Sequence, residues 1–196
     1  DKSGQAAGGI VGFALGSTKA AQIKDCTNYG NCYTARGYVG GIAGKIDGAL
    51  CPLIKDARFE GKIDVSALCI SSVGGIVGNA IGAFFTIENS SFTSEIRVRS
   101  RYFSERIGTV SIGGICGSAY SGRIHACVSG GNIVNDSTVS ASVGGIIGSL
   151  KGAAALTDCE FTSEGSIDTK DSYKSAVGGI AGSVSDAYSC GAIVKR

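Results

Sequence analysis

One five-residue pattern, GGIxG, occurs six times in this chain of 196 residues. The copies begin at Gly8, Gly40, Gly74, Gly113, Gly144 and Gly178. A pattern that returns every 31 to 39 residues indicates one supersecondary unit repeated along the chain, as in solenoids and propellers. Because the copies extend through the whole sequence, we predict a single repeat domain over residues 1–196.

The composition favours a packed structure over a disordered one. The chain contains 32 glycines, but 43% of its residues are hydrophobic, which is too many for a disordered segment. No apolar run is long enough for a transmembrane helix, and the start at Asp1 shows no signal peptide, so we expect a mature protein or an excised domain without membrane insertion. The 18 basic and 16 acidic side chains nearly balance, which argues against nucleic acid as a partner.

Each copy contains three short apolar segments. The first holds the pattern itself, and its period-two alternation predicts a strand with a buried column of isoleucines. The predicted core column consists of Ile10, Ile42, Ile76, Ile115, Ile146 and Ile180. We expect three glycines per copy because another part of the backbone approaches too closely to admit a Cβ.

Three strands and three turns per copy predict an all-β fold, a parallel β-helix (β-solenoid) of six coils with about three short strands per coil. Successive coils of such a fold lie roughly 4.8 Å apart, so equivalent side chains stack on one another. A six-bladed propeller is the alternative. Its blades need four strands and about 40 to 50 residues, and most copies here are shorter, which favours the β-helix.

The pattern GG(I/L)xG, followed by I-(E/K)-(N/D)-C and then by a G-x-(I/V) strand, resembles the GLUG-type repeat of bacterial surface and secreted proteins. These include adhesin-like proteins and the non-catalytic part of some immunoglobulin-A-cleaving metalloproteases. The resemblance extends through all six copies. It implies a right-handed β-solenoid at the cell surface that serves as a stalk, a spacer or a binding surface.

The third copy is the longest and carries the segment EIRVRSRYFSER. Alternation along a strand would place its arginines on one face, where their planar guanidinium groups suit an acidic glycan, a carboxylate or a phosphate. A solvated strand face, partly neutralised by Glu95 and Glu105, is the simpler interpretation and the one we favour. The candidate ligand-binding site, called the arginine ridge below, comprises Arg97, Arg99, Arg101, Tyr102 and Arg106.

An Asp or Asn recurs at one position of the second segment. The column consists of Asp25, Asp56, Asn89, Asp158 and Asp186, and it is interrupted at Ala126. Calcium needs several converging oxygen ligands, but the GGxGxD spacing of calcium-binding β-rolls is missing. We therefore expect these side chains to cap turns by accepting hydrogen bonds from backbone N–H groups, and we predict no metal and no cofactor.

A carbohydrate-active β-helix enzyme, a polysaccharide lyase or hydrolase, is an alternative function. Carboxylates of neighbouring coils would pair as Asp25 with Asp56, or as Asp158 with Asp186. No dense cluster of Asp, Asn, Lys and Arg recurs on one face, so we predict no enzymatic activity and no catalytic residue. A glycan-binding module that uses the arginine ridge is a further alternative.

The eight cysteines and the single histidine, His125, do not form a zinc pattern. Several cysteines occupy positions that hold Ala, Ser or Ile in other copies, which favours small, buried, free thiols. Cys127 and Cys159 share one column, but parallel side chains in register point the same way, so we predict no disulfide between them.

These features predict a non-enzymatic, extracellular β-solenoid module of a bacterial cell-surface protein, an adhesin-like stalk or a ligand-presenting scaffold. Its expected partners are host or extracellular glycans or proteins and neighbouring domains of a larger chain. The ends of a solenoid expose strand edges unless they are capped, so end-to-end self-association is also expected.

Overall fold

A computed structural model describes residues 5–16, 20–48, 51–99, 109–169, 175–185 and 193–194. Within these residues all regular secondary structure consists of β-strands, as predicted. This part of the chain contains no helix with the length and apolarity needed to cross a bilayer. The strands are β1 (Ala6–Gly8), β2 (Val11–Gly16), β3 (Gln22–Asn28), β4 (Cys32–Gly40), β5 (Ala43–Gly48), β6 (Leu53–Phe59), β7 (Ile63–Gly74), β8 (Val77–Glu88), β9 (Ser91–Phe92), β10 (Glu95–Arg99), β11 (Val110–Gly113), β12 (Cys116–His125), β13 (Val128–Ser129), β14 (Asn132–Asn135), β15 (Ala141–Gly144), β16 (Ile147–Lys151), β17 (Ala155–Thr157), β18 (Glu160–Phe161), β19 (Ser166–Asp168), β20 (Ala176–Gly178), β21 (Ala181–Ser185) and β22 (Ile193–Val194).

The strands stack in parallel in two sheets. In the first sheet β1, β4, β7, β11, β15 and β20 follow one another, and each ends at the first glycine of a GGIxG copy. In the second sheet β2, β5, β8, β12, β16 and β21 follow one another, and each begins just after the isoleucine. Equivalent residues pair, as Gly113 does with Gly74, so the fold is a β-solenoid. Its six corners delimit about five turns, with three to five described strands between successive corners.

The first half of the GGIxG pattern is a corner between the two sheets. Gly74 ends β7, Gly75 and Ile76 form a bend, and β8 begins at Val77. The prediction of one strand through the whole pattern is therefore wrong, because the chain changes sheets there. The carbonyl of Ile115 accepts the backbone N–H groups of Ile76 at 3.0 Å and of Val77 at 2.9 Å. Each corner is thus bonded to the next one, and the isoleucines stack as predicted.

The third glycine of the pattern brings the two sheets into backbone contact. A Cβ built on Gly78 would lie 2.5 Å from the backbone N of Val39, and one on Gly117 would lie 2.6 Å from that of Val73. No side chain fits at these distances, which confirms the expected reason for glycine. The hydroxyl of Ser72 donates a hydrogen bond of 2.6 Å to the Gly78 carbonyl across the same contact.

Apolar side chains lie on both sides of this contact. The residues that face away from it are fully buried, namely Val39, Val73, Ile112 and Val143 in the first sheet and Ala43, Val77, Cys116 and Ile147 in the second. Strands that are buried on both faces are expected to be apolar at successive positions. The apolar residue between the isoleucine and the third glycine therefore belongs to the core.

The predicted isoleucine column forms the core in the interior coils but not at the first end. Ile42, Ile76, Ile115 and Ile146 are fully buried, and Ile180 is partly buried. Ile10 is 48% exposed, contrary to the expectation of a core position. The reason is that one described coil adjoins the first corner, whereas two adjoin each interior corner.

The second glycine of the pattern makes room for an aromatic ring. Phe59 and Phe92 are fully buried and stack with their centroids 5.9 Å apart and their planes 13° apart. A Cβ on Gly75 would lie 2.5 Å from Cγ of Phe92. Phe161 is half-buried in the same column, where the intervening coil has Ser129. The recurrence of Phe in the sequence thus reflects rings that pack beneath the corners.

Candidate functional site

The described part of the arginine ridge lies on β10. Ile96 and Val98 face inward and are buried, whereas Arg97 and Arg99 alternate with them and face outward. Two of the predicted guanidinium groups therefore share one strand face. The remaining ridge residues, Arg101, Tyr102 and Arg106, lie outside the described residues.

Both described arginines of the ridge face carboxylates. Arg97 Nε lies 3.6 Å from Glu95 Oε1 on the same strand. Arg99 Nη2 donates a hydrogen bond of 2.8 Å to Asp64 Oδ2 of the preceding coil. These side chains are between 31% and 49% exposed, and ion pairs so close to solvent contribute about 0 to 1 kcal/mol. An acidic ligand can therefore replace Asp64 at Arg99 at little cost, whereas Nε of Arg97 is itself buried and makes no hydrogen bond within the described residues.

A third residue in the same outward column was not predicted from the sequence. Tyr33 pairs in register with Asp64, and Asp64 pairs with Arg97. The Tyr33 side chain is 70% exposed, and its hydroxyl accepts a hydrogen bond of 3.3 Å from Asn31 Nδ2. The sequence did contain a signal for this residue. When the copies are aligned on Cys32 and Ile96, Tyr33 and Arg97 both follow one position later, on the outer face. The surface thus combines two cations with one exposed aromatic ring.

The Asp and Asn column marks a repeated left-handed backbone position. Its described residues have φ angles between 47° and 53°, and they are Asp25, Asp56, Asn89, Ala126 and Asp158. Among L-residues, Asn and Asp adopt this conformation most readily. Side chains of this column contact neighbouring coils: Asn89 Nδ2 donates a hydrogen bond to Asp56 Oδ1, and Asp158 Oδ2 lies 3.1 Å from His125 Nδ1. The conformation of the backbone, and not the expected capping of N–H groups, explains the residue type.

A shallow depression of about 270 Å³ lies where this column is interrupted. Asp56 and Asn89 border it on one side, and Ala126 lines it without filling it because its side chain is a single methyl group. The volume is below the range of ordinary small-molecule pockets, about 300 to 1,000 Å³. In the described part of the chain no three His, Cys, Asp or Glu side chains are grouped so that they could hold a metal ion.

Of the two carboxylate pairs considered for the enzymatic alternative, only one lies wholly within the described residues. Asp25 and Asp56 are adjacent in the stack, since Lys24 pairs with Lys55 in register. Asp56, however, is hydrogen-bonded to Asn89. Asp186, the proposed partner of Asp158, lies outside the described residues.

The cysteines serve packing more than chemistry. Free thiols occur at Cys26, Cys32, Cys51, Cys116, Cys127 and Cys159. Burial raises the pKa of Cys116 to about 12. The hydrogen bond between Cys127 and Cys159, together with burial, raises the pKa of Cys127, while the same hydrogen bond lowers the pKa of Cys159. A buried, protonated thiol is a poor nucleophile, so the interior thiols fill space.

Residues 71–97 match the family of the GLUG motif. The matched stretch runs from the end of β7 through one corner and β8 to the middle of β10. The chain therefore carries the GLUG motif within a β-solenoid, as the resemblance implied, and its other corners repeat the same geometry. Neither a curated protein nor a solved structure matches the chain.

Proposed function

We propose that this chain is a non-enzymatic, extracellular module of a bacterial cell-surface protein, an adhesin-like stalk that presents a ligand-binding surface on its side. The observation that carries the proposal is the contrast between the two faces of the strands that include β10. The inward residues are apolar in all five coils, and the three central ones are fully buried, in the column Cys32, Ile63, Ile96, Ile133 and Ile167. The outward residues in the next register position are unrelated to one another, namely Tyr33, Asp64, Arg97, Val134 and Asp168.

Such a division suits a scaffold. The interior residues are constrained by backbone contacts and stacking, so they hold the rod, while the outward residues change without affecting the fold. An enzyme of the β-helix type would instead require several acid and base residues fixed together in one groove. The proposed module therefore presents its outward residues to a ligand, and neighbouring domains of a larger chain would attach it to the cell.

The proposed ligand is an acidic glycan or an acidic protein segment from the host or the extracellular matrix. Arg97 and Arg99 offer planar donors for a carboxylate or sulfate group, and Tyr33 offers a flat apolar face for a sugar ring or a side chain. Two coils separate Tyr33 from Arg97 in the stack, a distance of about 10 Å at 4.8 Å per coil.

The test is a glycan array probed with the chain and with the double variant Arg97→Ser, Arg99→Ser. We expect the variant to lose about tenfold in affinity for acidic glycans, since two charge pairs so close to solvent contribute up to about 1 kcal/mol each. Arg123→Ser is the matched control, because Arg123 is an exposed arginine on the second sheet, and it should bind as the parent does.

Two results would contradict the proposal. Equal binding by the parent and the double variant would remove this surface from consideration. Failure of the parent to bind any acidic glycan or protein segment would leave only a spacer role. The surface location is tested separately by cleavage of the chain when intact cells are treated with a protease.

A further inference from the structure

The depression at Ala126 is separate from the arginine ridge. Residues of three successive coils line it, on or beside β6, β9 and β13. These strands belong to the second sheet, whereas β10 belongs to the first. Two columns of side chains contribute to the lining, namely Asp56, Asn89 and Ala126 in one and Arg58, Ser91 and Val128 in the other. The three coils are interior ones, so each has a described coil on both sides.

Ala126 has a backbone conformation for which alanine is poorly suited. Its φ angle is 50°, and the other described residues of its column have the same conformation with an Asp or Asn side chain. Asn, Asp and Gly adopt this left-handed conformation at lower cost than alanine does. The stability of the fold therefore does not explain alanine here. An Asn or Asp would fill the depression, and residues that oppose the local backbone preference cluster at functional sites.

The lining places hydrogen-bond donors and acceptors next to one another. Asn89 Nδ2 donates a hydrogen bond to Asp56 Oδ1, and a carboxylate and an amide together have capacity for several more. The Arg58 side chain is 61% exposed, with Nη1 3.5 Å from Glu60 Oε1, and a guanidinium group has five N–H donors. Ser91, in register with Arg58, adds a hydroxyl group. A sugar hydroxyl both donates and accepts, so it matches this mixture.

A small apolar surface adjoins these polar groups. Val128 is 38% exposed, and the methyl group of Ala126 lines the depression beside it. The ring of a sugar carries hydroxyl groups at its edge and C–H groups on its faces, so it can use both kinds of surface at once. Among the lining residues Asp56 carries a negative charge and Arg58 a positive one. The charges balance, which favours a neutral ligand over an acidic or a basic one.

We propose that this depression binds one neutral sugar ring of a glycan. The ring hydroxyl groups form hydrogen bonds with Asp56, Asn89 and Arg58, and the C–H face packs on Ala126 and Val128. The volume of about 270 Å³ restricts the site to a small ligand, because pockets for drug-sized molecules begin at about 300 Å³. The inference adds a second sugar site on the other sheet, and it does not depend on the arginine ridge.

The test measures binding of the methyl glycosides of glucose, galactose, mannose and N-acetylglucosamine by ligand-observed NMR. Ala126→Asn restores the residue type of the column and places an amide group in the depression. It should weaken binding of the glycoside that the parent binds by at least about tenfold, because the hydrogen bonds of the ring are lost. Its unfolding temperature should equal or exceed that of the parent, since Asn suits the left-handed backbone better than Ala.

Three further variants make the test specific. Arg58→Ser removes a proposed donor from a mostly exposed side chain, so it should fold normally and weaken binding by at least about threefold. Ser121→Asn is the matched control, because it introduces the same residue at another left-handed position of the second sheet, with a φ angle of 60°. It should bind as the parent does. The double variant Arg97→Ser, Arg99→Ser should also keep its binding of neutral glycosides.

Several results would overturn the proposal. These are a parent that binds none of the four glycosides, a folded Ala126→Asn or Arg58→Ser that binds as the parent does, or a loss of binding in Ser121→Asn. A methyl glucuronide that binds the double variant more tightly than every neutral glycoside would also overturn it. Because the double variant lacks the described arginines of the ridge, failure of this site and failure of the arginine ridge give different results.

Discussion

The interior coils and the terminal coils have the same residues in their corners but place them in different surroundings. Ile115 is fully buried, whereas Ile10 in the same column is 48% exposed. A Cβ on Gly145 would lie 2.2 Å from a backbone oxygen, whereas a Cβ on Gly179 would meet no atom within 4 Å. The residue type at a repeated position therefore does not indicate its energetic importance, which depends on the presence of a coil on each side.

The largest expected difference concerns glycine in the corner. Gly145→Ala should lower the free energy of unfolding by at least about 3 kcal/mol, because the new Cβ would meet both the Gly179 carbonyl and the ring of Phe161. Gly179→Ala should change it by less than about 0.5 kcal/mol. Urea unfolding at low protein concentration measures both values. Similar losses in the two variants would show that the terminal coil is as constrained as the interior.

A smaller difference is expected for the isoleucine column. Ile115→Ala should cost about 2 to 5 kcal/mol, as is usual for a fully buried isoleucine. Ile10→Ala should cost about 1 kcal/mol, since nearly half of its surface is already in water. Thermal and urea unfolding of the two variants give the comparison. A cost for Ile10→Ala equal to that of Ile115→Ala would mean that the first corner is covered in solution.

The smallest difference is expected for the thiol column. Cys127 is fully buried, and Ser90 occupies the same column with its hydroxyl bonded to the Glu88 carbonyl at 2.9 Å. Cys127→Ser should therefore cost no more than about 1 kcal/mol, because the new hydroxyl can bond to the His125 carbonyl that now accepts from the thiol. Cys26→Ser, in the half-buried first coil, should be close to neutral. A loss above about 3 kcal/mol for Cys127→Ser would indicate that the new hydroxyl has no hydrogen-bond partner. It would also mean that position 127 has less room for a serine than position 90.

Much of the fold could be predicted from the repeated positions alone. The spacing of the copies predicts the solenoid and the glycines predict close backbone contact, and the structure confirms both. The corner at Gly75 and Ile76 was missed for a physical reason. Alternating apolar and glycine residues fit a strand and a bend equally well, and only the change of sheet distinguishes them.

The candidate site was less predictable than the fold. The alternation of Arg97 and Arg99 with inward residues follows from the sequence, but their ion pairs with Glu95 and Asp64 depend on the register between strands and on side-chain rotamers. The left-handed backbone conformation of the Asp and Asn column was not predicted, because Ala126, which shares this conformation, interrupts the residue pattern. The alignment of Tyr33 with Arg97 follows from the column of Cys32 and Ile96, but the exposure of the Tyr33 side chain depends on how the coils pack.

The backbone contact at the third glycine also governs how proteins of this design change in size. Because the backbones of the two sheets touch there, no larger side chain and no ligand fits between the sheets at this point. Duplication or loss of a repeat would instead alter the length by whole increments of about 4.8 Å. The length of such a solenoid can therefore change with the number of repeats, while the spacing between its two sheets at the third glycine stays the same.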